Sequence, residues 1–237
     1  MVKIAPSILA ADVLNLERDV RKVMDGGCDW LHVDIMDAHF VSNLSYSPAV
    51  VSRLKETFPI PLDVHLMMSE PEKYLDAFLQ AGADILTIHA EAPGFLRTSD
   101  KAAALTGEDR QKLANMLRRI RSAGAKAGLA LRPDTGIEPV IPLLKETDLV
   151  LTMTVEPGYG GQKLQRRVIH KIRELRELGY RGEIEADGGL TADNLMELVC
   201  SGLSVAVMGT AVFAQTDAAA VIRKLHETGA EADKNGK

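Results

Sequence analysis

Eight short runs rich in aliphatic and β-branched residues recur along the chain, and stretches with helical spacing separate most of them. The runs are KIAPSIL (3–9), WLHVDIM (30–36), PLDVHLM (61–67), DILTIHAE (84–91), KAGLAL (126–131), LVLTMTV (149–155), GEIEAD (182–187) and SVAVMG (204–209). Between them lie VLNLERDVRKVMDGG, PEKYLDAFLQAGA, RQKLANMLRRIRSAGA, KLQRRVIHKIRELRELG and TADNLMELVCSG, several closing on a glycine as helix ends do. SEPEKY and LTADN read as helix starts, with Ser69 and Thr191 as caps and Pro71 in the first turn. Strand then helix, repeated about eight times, is the pattern of a (β/α)8 barrel, the TIM-barrel class. An open doubly wound sheet would want a glycine-rich turn after its first strand, and SILAADV offers none.

No linker divides the chain, so residues 1–237 read as one domain. The segment APGFLRTSDKAAALTGEDR (92–110), between the fourth strand and its helix, is longer than a usual βα loop. It reads as an accessory element at the pocket mouth or a subunit contact, or as a plain solvated insertion. The tail EADKNGK reads as frayed and solvated.

Aromatic residues make up only 4% of the chain, so a core must be built from Val, Ile, Leu, Ala and Met. The net charge of −5 argues against general binding to nucleic acid or an anionic membrane, while leaving room for a local anion site. MVKIAPSILA turns polar too soon for a signal peptide, and no run approaches the length of a membrane span. Cys28 and Cys200 read as two reduced thiols, and the expected setting is the cytoplasm.

Residues two apart on a strand share a face. WLHVDIM therefore aims His32, Asp34 and Met36 one way and Leu31, Val33 and Ile35 the other. PLDVHLM repeats this with Asp63, His65 and Met67, and the seventh strand carries Glu185 and Asp187. Active sites of such barrels lie at the C-terminal ends of the strands. A buried carboxylate costs several kcal/mol unless it is paired or bound to a metal. His32, Asp34, His65 and Asp187 thus form a candidate four-ligand site for a divalent ion, and Zn, Fe(II), Mn or Co would all accept that donor set. His89 and Asp63 are expected as hydrogen-bond partners, and Asp37 and His39 as shapers of the loop after the second strand. Met36, Met67 and Met153 are either core filler or an apolar wall around a reacting centre. Gly188–Gly189 and Gly209–Thr210 follow the last two strands, where such barrels hold phosphate, although turns use glycine too. EPGYGGQ (156–162) reads as a mobile lid or as an ordinary turn.

Taken together, APSILAAD, WLHVDIMDAHFV, LDVHLM, MTVEPGYGGQK and IEADGGL resemble the ribulose-phosphate 3-epimerases, from residue 3 to about 215. The resemblance implies a metal-dependent isomerase that interconverts D-ribulose 5-phosphate and D-xylulose 5-phosphate by proton transfer at C3. It implies His32, Asp34, His65 and Asp187 as metal ligands, and Asp34 and Asp187 as the acid/base pair. Phosphate contacts fall on Gly188, Gly189, Gly209 and Thr210, and the lid on Gly158, Tyr159, Gly160 and Gly161. Ser7 and His65 would touch the substrate, and Met36, Met67 and Met153 would cap it. The implied partner is a ketose phosphate, with no nucleic acid and no membrane, and the expected assembly is a homo-oligomer. The chain departs from the family pattern at Ala38, where glycine is usual, at Ser42 (proline), at Ser47 before Pro48 (glycine) and at Ala186 (valine).

Three other readings compete. The related allulose-6-phosphate 3-epimerases share the metal and the carboxylates. A decarboxylase of the orotidine-phosphate type needs a lysine in an Asp-x-Lys-x-x-Asp array, and HVDIMD has none. A non-catalytic sugar-phosphate-binding barrel would have no purpose for a full carboxylate pair.

Overall fold

All eight expected strands form. A computed structural model describes residues 1–92 and 105–235. Its strands are β1 Lys3–Pro6, β2 Leu31–Met36, β3 Leu62–Met67, β4 Ile85–His89, β5 Lys126–Leu131, β6 Leu149–Met153, β7 Glu183–Asp187 and β8 Val205–Met208. They make one parallel sheet in the order β1-β8-β7-β6-β5-β4-β3-β2. β1 pairs with β8 from Lys3↔Val205 to Pro6↔Met208. The remaining seam, between β1 and β2, is joined by a single parallel bridge, Ser7↔His32. The sheet thereby curls into a nearly closed barrel.

The helices are α1 Leu16–Asp25, α2 Pro48–Thr57, α3 Leu75–Gln80, α4 Gly107–Ser122, α5 Ile169–Glu177, α6 Ala192–Cys200, α7 Thr210–Phe213 and α8 Ala218–Asn235. The crossover from β5 to β6 is a 3-10 segment, Glu138–Glu146, with Pro142 inside it. A proline there removes an amide donor and works against a regular α-helix. α2 and this crossover lack clear helical spacing in the sequence. α3 is entered through a 3-10 turn, Pro71–Lys73, with Glu70 rather than Ser69 at the cap position. Thr191 caps α6 as expected, in a reciprocal box with Asn194.

α4 begins at Gly107 behind Thr106, whose hydroxyl accepts the Asp109 amide at 3.1 Å. The end of the supposed 92–110 loop is therefore helix, while its residues 93–104 lie outside the described residues. The tail expected to be solvated continues as α8 to Asn235, with Ala232 buried.

Every residue of β2 and β3 is buried, so both faces of the sheet are covered. Leu31, Val33, Ile35, Leu62, Val64 and Leu66 belong to the large apolar layer shared with the helices. Each such side chain contributes about 1.5–3 kcal/mol by leaving water. The alternate face turns into the barrel, where Ala5, Ile85, Leu149, Leu151, Val205 and Val207 form a smaller cluster. The polar residues of β2 and β3 share that interior, and so cannot be a wetted outer face.

Candidate active site

Asp34 is the centre of the polar interior. Its Oδ2 accepts from the Ser7 hydroxyl at 2.6 Å, and its Oδ1 lies 3.2 Å from His32 Nε2 and 3.1 Å from His65 Nδ1. The β2–β3 register that pairs Asp34 with His65 sets the last contact. His32 Nδ1 meets Asp63 Oδ2 at 2.6 Å, the partnership expected of Asp63. His65 Nε2 lies 2.9 Å from His89 Nε2, and His89 Nδ1 is 2.8 Å from Glu91 Oε2. Asp37 does shape its loop, accepting the amides of His39, Phe40 and Ser69.

Burial alone would depress the His32 imidazole, but the carboxylates of Asp34 and Asp63 outweigh it and raise its pKa well above the usual value. Burial would raise Asp34, yet the charge and hydrogen bond of His32 outweigh it and hold Asp34 below the usual carboxylate range. Asp187 is pushed up to about 7, by burial first and by the Asp34 charge second. His89 is pushed down to about 4 by burial and is neutral at pH 7. Burial would also raise Glu91, but bonds from His89, Thr135 and the Arg132 amide hold it low. Deeper in the barrel, Glu185 is raised by burial and by Asp63, and neither of its oxygens has a hydrogen-bond partner among the described residues.

One donor atom from each of His32, Asp34, His65 and Asp187 lies within 4.8 Å of all the others. A tetrahedral ion about 2.1 Å from each donor needs them about 3.4 Å apart, so a small inward shift suffices. The donor set suits a borderline divalent ion. These are the four residues expected as ligands, and they fit the group. A second trio, His32, Asp63 and Glu185, has similar spacing but is sealed inside the barrel.

Above the cluster opens a cavity of about 630 Å³. Asp34 and Asp187 reach its lining, together with Ser7, Met36, Met67 and Met153. His32 and His65 are fully buried and lie beneath that lining. The cavity also touches Gly158 to Gly161, Gly188, Gly189, Gly209 and Thr210. Among the described residues, Lys163 is the one cation of that lining, although its motif gave it no role in the sequence.

Gly188 and Gly189 stand at φ 120° and 69°. A Cβ on Gly188 would come within 2.3 Å of Val155, and one on Gly189 within 2.3 Å of the Leu164 amide nitrogen. Only glycine lets this turn pass so close to the loop after β6. That loop is tied across the mouth to the loop after β2, because Asn43 Nδ2 donates to the Gly158 carbonyl at 2.9 Å. Sequence reasoning missed Asn43, and also Ser45, whose hydroxyl donates to the Asp34 carbonyl at 2.5 Å and accepts the Met36 amide at 3.0 Å.

A family model described as the ribulose-phosphate 3 epimerase family matches residues 3–213. The chain belongs to the ribulose-phosphate 3-epimerase family. It is 39% identical to the ribulose-phosphate 3-epimerase of Bacillus subtilis over 223 residues, covering 92% of this chain and 94% of that protein. It is 38% identical to the chloroplastic ribulose-5-phosphate-3-epimerase of Arabidopsis thaliana over 224 residues, covering 93% of this chain and 74% of that one. In fold it is similar to 3-hexulose-6-phosphate synthase of Salmonella typhimurium, with a TM-score of 0.72 at 14% identity over 98% of this chain and all of that one (100%).

Membership also gives meaning to a departure from the family pattern. Ala38 is the one non-glycine residue at positive φ among the described residues, at 58°. The backbone there has the shape for which glycine is the unstrained choice.

Proposed function

We propose that this protein is a metal-dependent ribulose-phosphate 3-epimerase that interconverts D-ribulose 5-phosphate and D-xylulose 5-phosphate. The observation that carries the reading is the presence of two carboxylates, Asp34 on β2 and Asp187 on β7, at one cavity floor. Inverting C3 of a 2-keto sugar means taking a proton from one face and returning one to the other. A carboxylate on each side does this without turning the sugar over. Before metal binds, Asp34 is held ionised while Asp187 is pushed up to about 7; a bound ion would hold both carboxylates ionised and oriented, ready to take the C3 proton in either direction. Ser7 orients Asp34 by its hydrogen bond. A divalent ion held by His32, Asp34, His65 and Asp187 would supply Lewis-acid stabilisation of negative charge at the C2 oxygen.

The three methionines wall the reacting centre with apolar groups and leave the developing oxyanion few solvent partners. Gly188, Gly189, Gly209 and Thr210 hold the phosphate away from C3, where its binding energy fixes the sugar's orientation. The loop Gly158–Gly161, with Tyr159, covers the substrate. The segment 92–110 is accessory ahead of α4, so trimming it short of Leu105 should alter assembly or KM and spare the chemistry; an unchanged oligomer with unchanged kinetics would make it a plain solvated insertion. The setting of this reading is the cytoplasm and its assembly a homo-oligomer.

The test has two parts. Exhaustive chelation should abolish activity, and added divalent metal should restore it; full activity without metal would refute the metal role. His65→Ala should stay folded and lose most of its metal. A kcat/KM comparison between ribulose 5-phosphate and allulose 6-phosphate then fixes the sugar. A preference for the hexulose would move the assignment to the allulose-6-phosphate 3-epimerases, some of which share serine at the position of Ser47.

A further inference from the structure

A line of three buried side chains runs outward from the candidate metal centre and ends on the backbone. His65 Nδ1 faces the centre, 3.1 Å from Asp34 Oδ1. Its Nε2 is 2.9 Å from His89 Nε2, His89 Nδ1 is 2.8 Å from Glu91 Oε2, and Glu91 Oε1 accepts the Arg132 backbone N–H at 2.8 Å. The Phe40 ring covers His89 at 4.7 Å, and the Arg132 guanidinium covers Phe40 at 4.3 Å.

Both ends of this line are carboxylates, and the direction that starts from Glu91 is the one that leaves a metal ligand. Two neutral imidazole nitrogens at 2.9 Å share one hydrogen, so one donates and the other accepts. A carboxylate only accepts. His89 therefore carries its proton on Nδ1, toward Glu91, and turns a bare Nε2 toward His65. His65 must then carry a proton on Nε2, which in the neutral form that binds metal leaves Nδ1 bare toward the centre, as a ligand requires. The opposite direction would place a hydrogen on His65 Nδ1, where Asp34 Oδ1 waits to accept it. That bond would occupy the ligand position. Asp34 by itself thus favours the tautomer that cannot bind metal.

We propose that Glu91, acting through His89, is a positioning residue that fixes the tautomer of His65 and so opens its Nδ1 to the metal. The proposal rests on the metal-site reading given above.

Glu91→Gln isolates the effect without changing shape. The Arg132 amide still needs an acceptor, so the new amide oxygen takes the Oε1 place and the NH2 group faces His89 Nδ1. Every hydrogen bond in the line then reverses. With Co(II) as the probe, E91Q should bind about 10–100-fold more weakly than the unmutated protein and show an altered visible spectrum. In a His89→Leu background, E91Q should cause no further loss, because the coupling passes through His89. Long-range proton–nitrogen correlation spectra of the unmutated, metal-free protein should show Nε2–H on His65 and Nδ1–H on His89, a measurement that needs no variant.

Unmutated Co(II) affinity and spectrum in E91Q, or Nε2–H on His89, would overturn the proposal while leaving the metal site standing. Failure of the unmutated protein to bind Co(II), or equal binding after His65→Ala, would overturn the metal-site reading and the proposal with it.

Discussion

The Tyr159 hydroxyl donates to the Ser42 carbonyl at 2.8 Å, joining the loop after β6 to the loop after β2 across the cavity mouth. The Asn43–Gly158 bond lies beside it. The tyrosine side chain remains half exposed, at 56%. If this loop serves as the proposed lid, these two polar contacts are what hold it across the mouth.

Removing one such contact should shift the lid without touching the chemistry. A hydrogen bond of this kind contributes about 0.5–1.5 kcal/mol. Tyr159→Phe is therefore expected to raise KM about 2–10-fold with little change in kcat, and to speed proteolytic cleavage within 156–162. Unaltered kinetics and unaltered cleavage would show that the tie does not hold the lid.

Asp34→Asn and Asp187→Asn should each lower kcat at least about a thousandfold, since general acid–base catalysis supplies roughly 10²–10⁴-fold per group and each also removes a ligand. In deuterium oxide, the epimerised product should carry solvent deuterium at C3. A product free of deuterium, or normal turnover by Asp187→Asn with metal bound, would point to a hydride or retro-aldol route instead.

Metal affinity should depend steeply on pH, with a definite sign. Without metal, Asp187 takes up a proton below about 7, and His32 keeps one well above the usual histidine range. A cation must displace both, so binding weakens as pH falls and strengthens as it rises. Titration calorimetry in buffers of different ionisation enthalpy should find more than one proton released per metal near pH 6. Affinity that stays flat from pH 6 to 8 would contradict the protonation states assigned here.

Ala38 carries a small strain that can be relieved. A left-handed backbone costs an L-residue about 1–2 kcal/mol, and glycine's greater freedom in the unfolded chain returns part of that. Ala38→Gly is expected to stabilise the protein by about 0.5–1 kcal/mol, a rise of about 1–4 °C in Tm for a chain of this size. A lower Tm would mean that the methyl group packs well enough to outweigh the strain.

The period-two spacing of WLHVDIM and PLDVHLM made His32, Asp34 and His65 legible, because a strand repeats every second residue and a parallel sheet is covered on both faces. The strand count and Asp187 followed from the same regularity. Depth along a strand is another matter. Glu185 shares the face of Asp187, but only the register shows that it sits below the centre with no hydrogen-bond partner. The ties made by Tyr159 and Asn43 were illegible, since they join loops more than a hundred residues apart and leave no local pattern. α4 began before its apolar spacing did, at a cap in Thr106. The direction of the His65–His89–Glu91 line needed distances, although His89 and Glu91 were visible as neighbours on one strand face.

The ladder between β1 and β8 has a consequence for a ribosome making this chain. Of the eight strands β1 leaves first, yet its only ladder partner, Val205–Met208, is the last of them to follow, and its bridge to β2 is a single pair. Asp187 emerges almost as late. A nascent chain that has exposed β1 through β6 holds three of the four candidate ligands and neither of the candidate phosphate loops. It is therefore without a finished candidate site until β7 and β8 have been translated, and an ion or ligand that needs that whole site cannot be captured earlier.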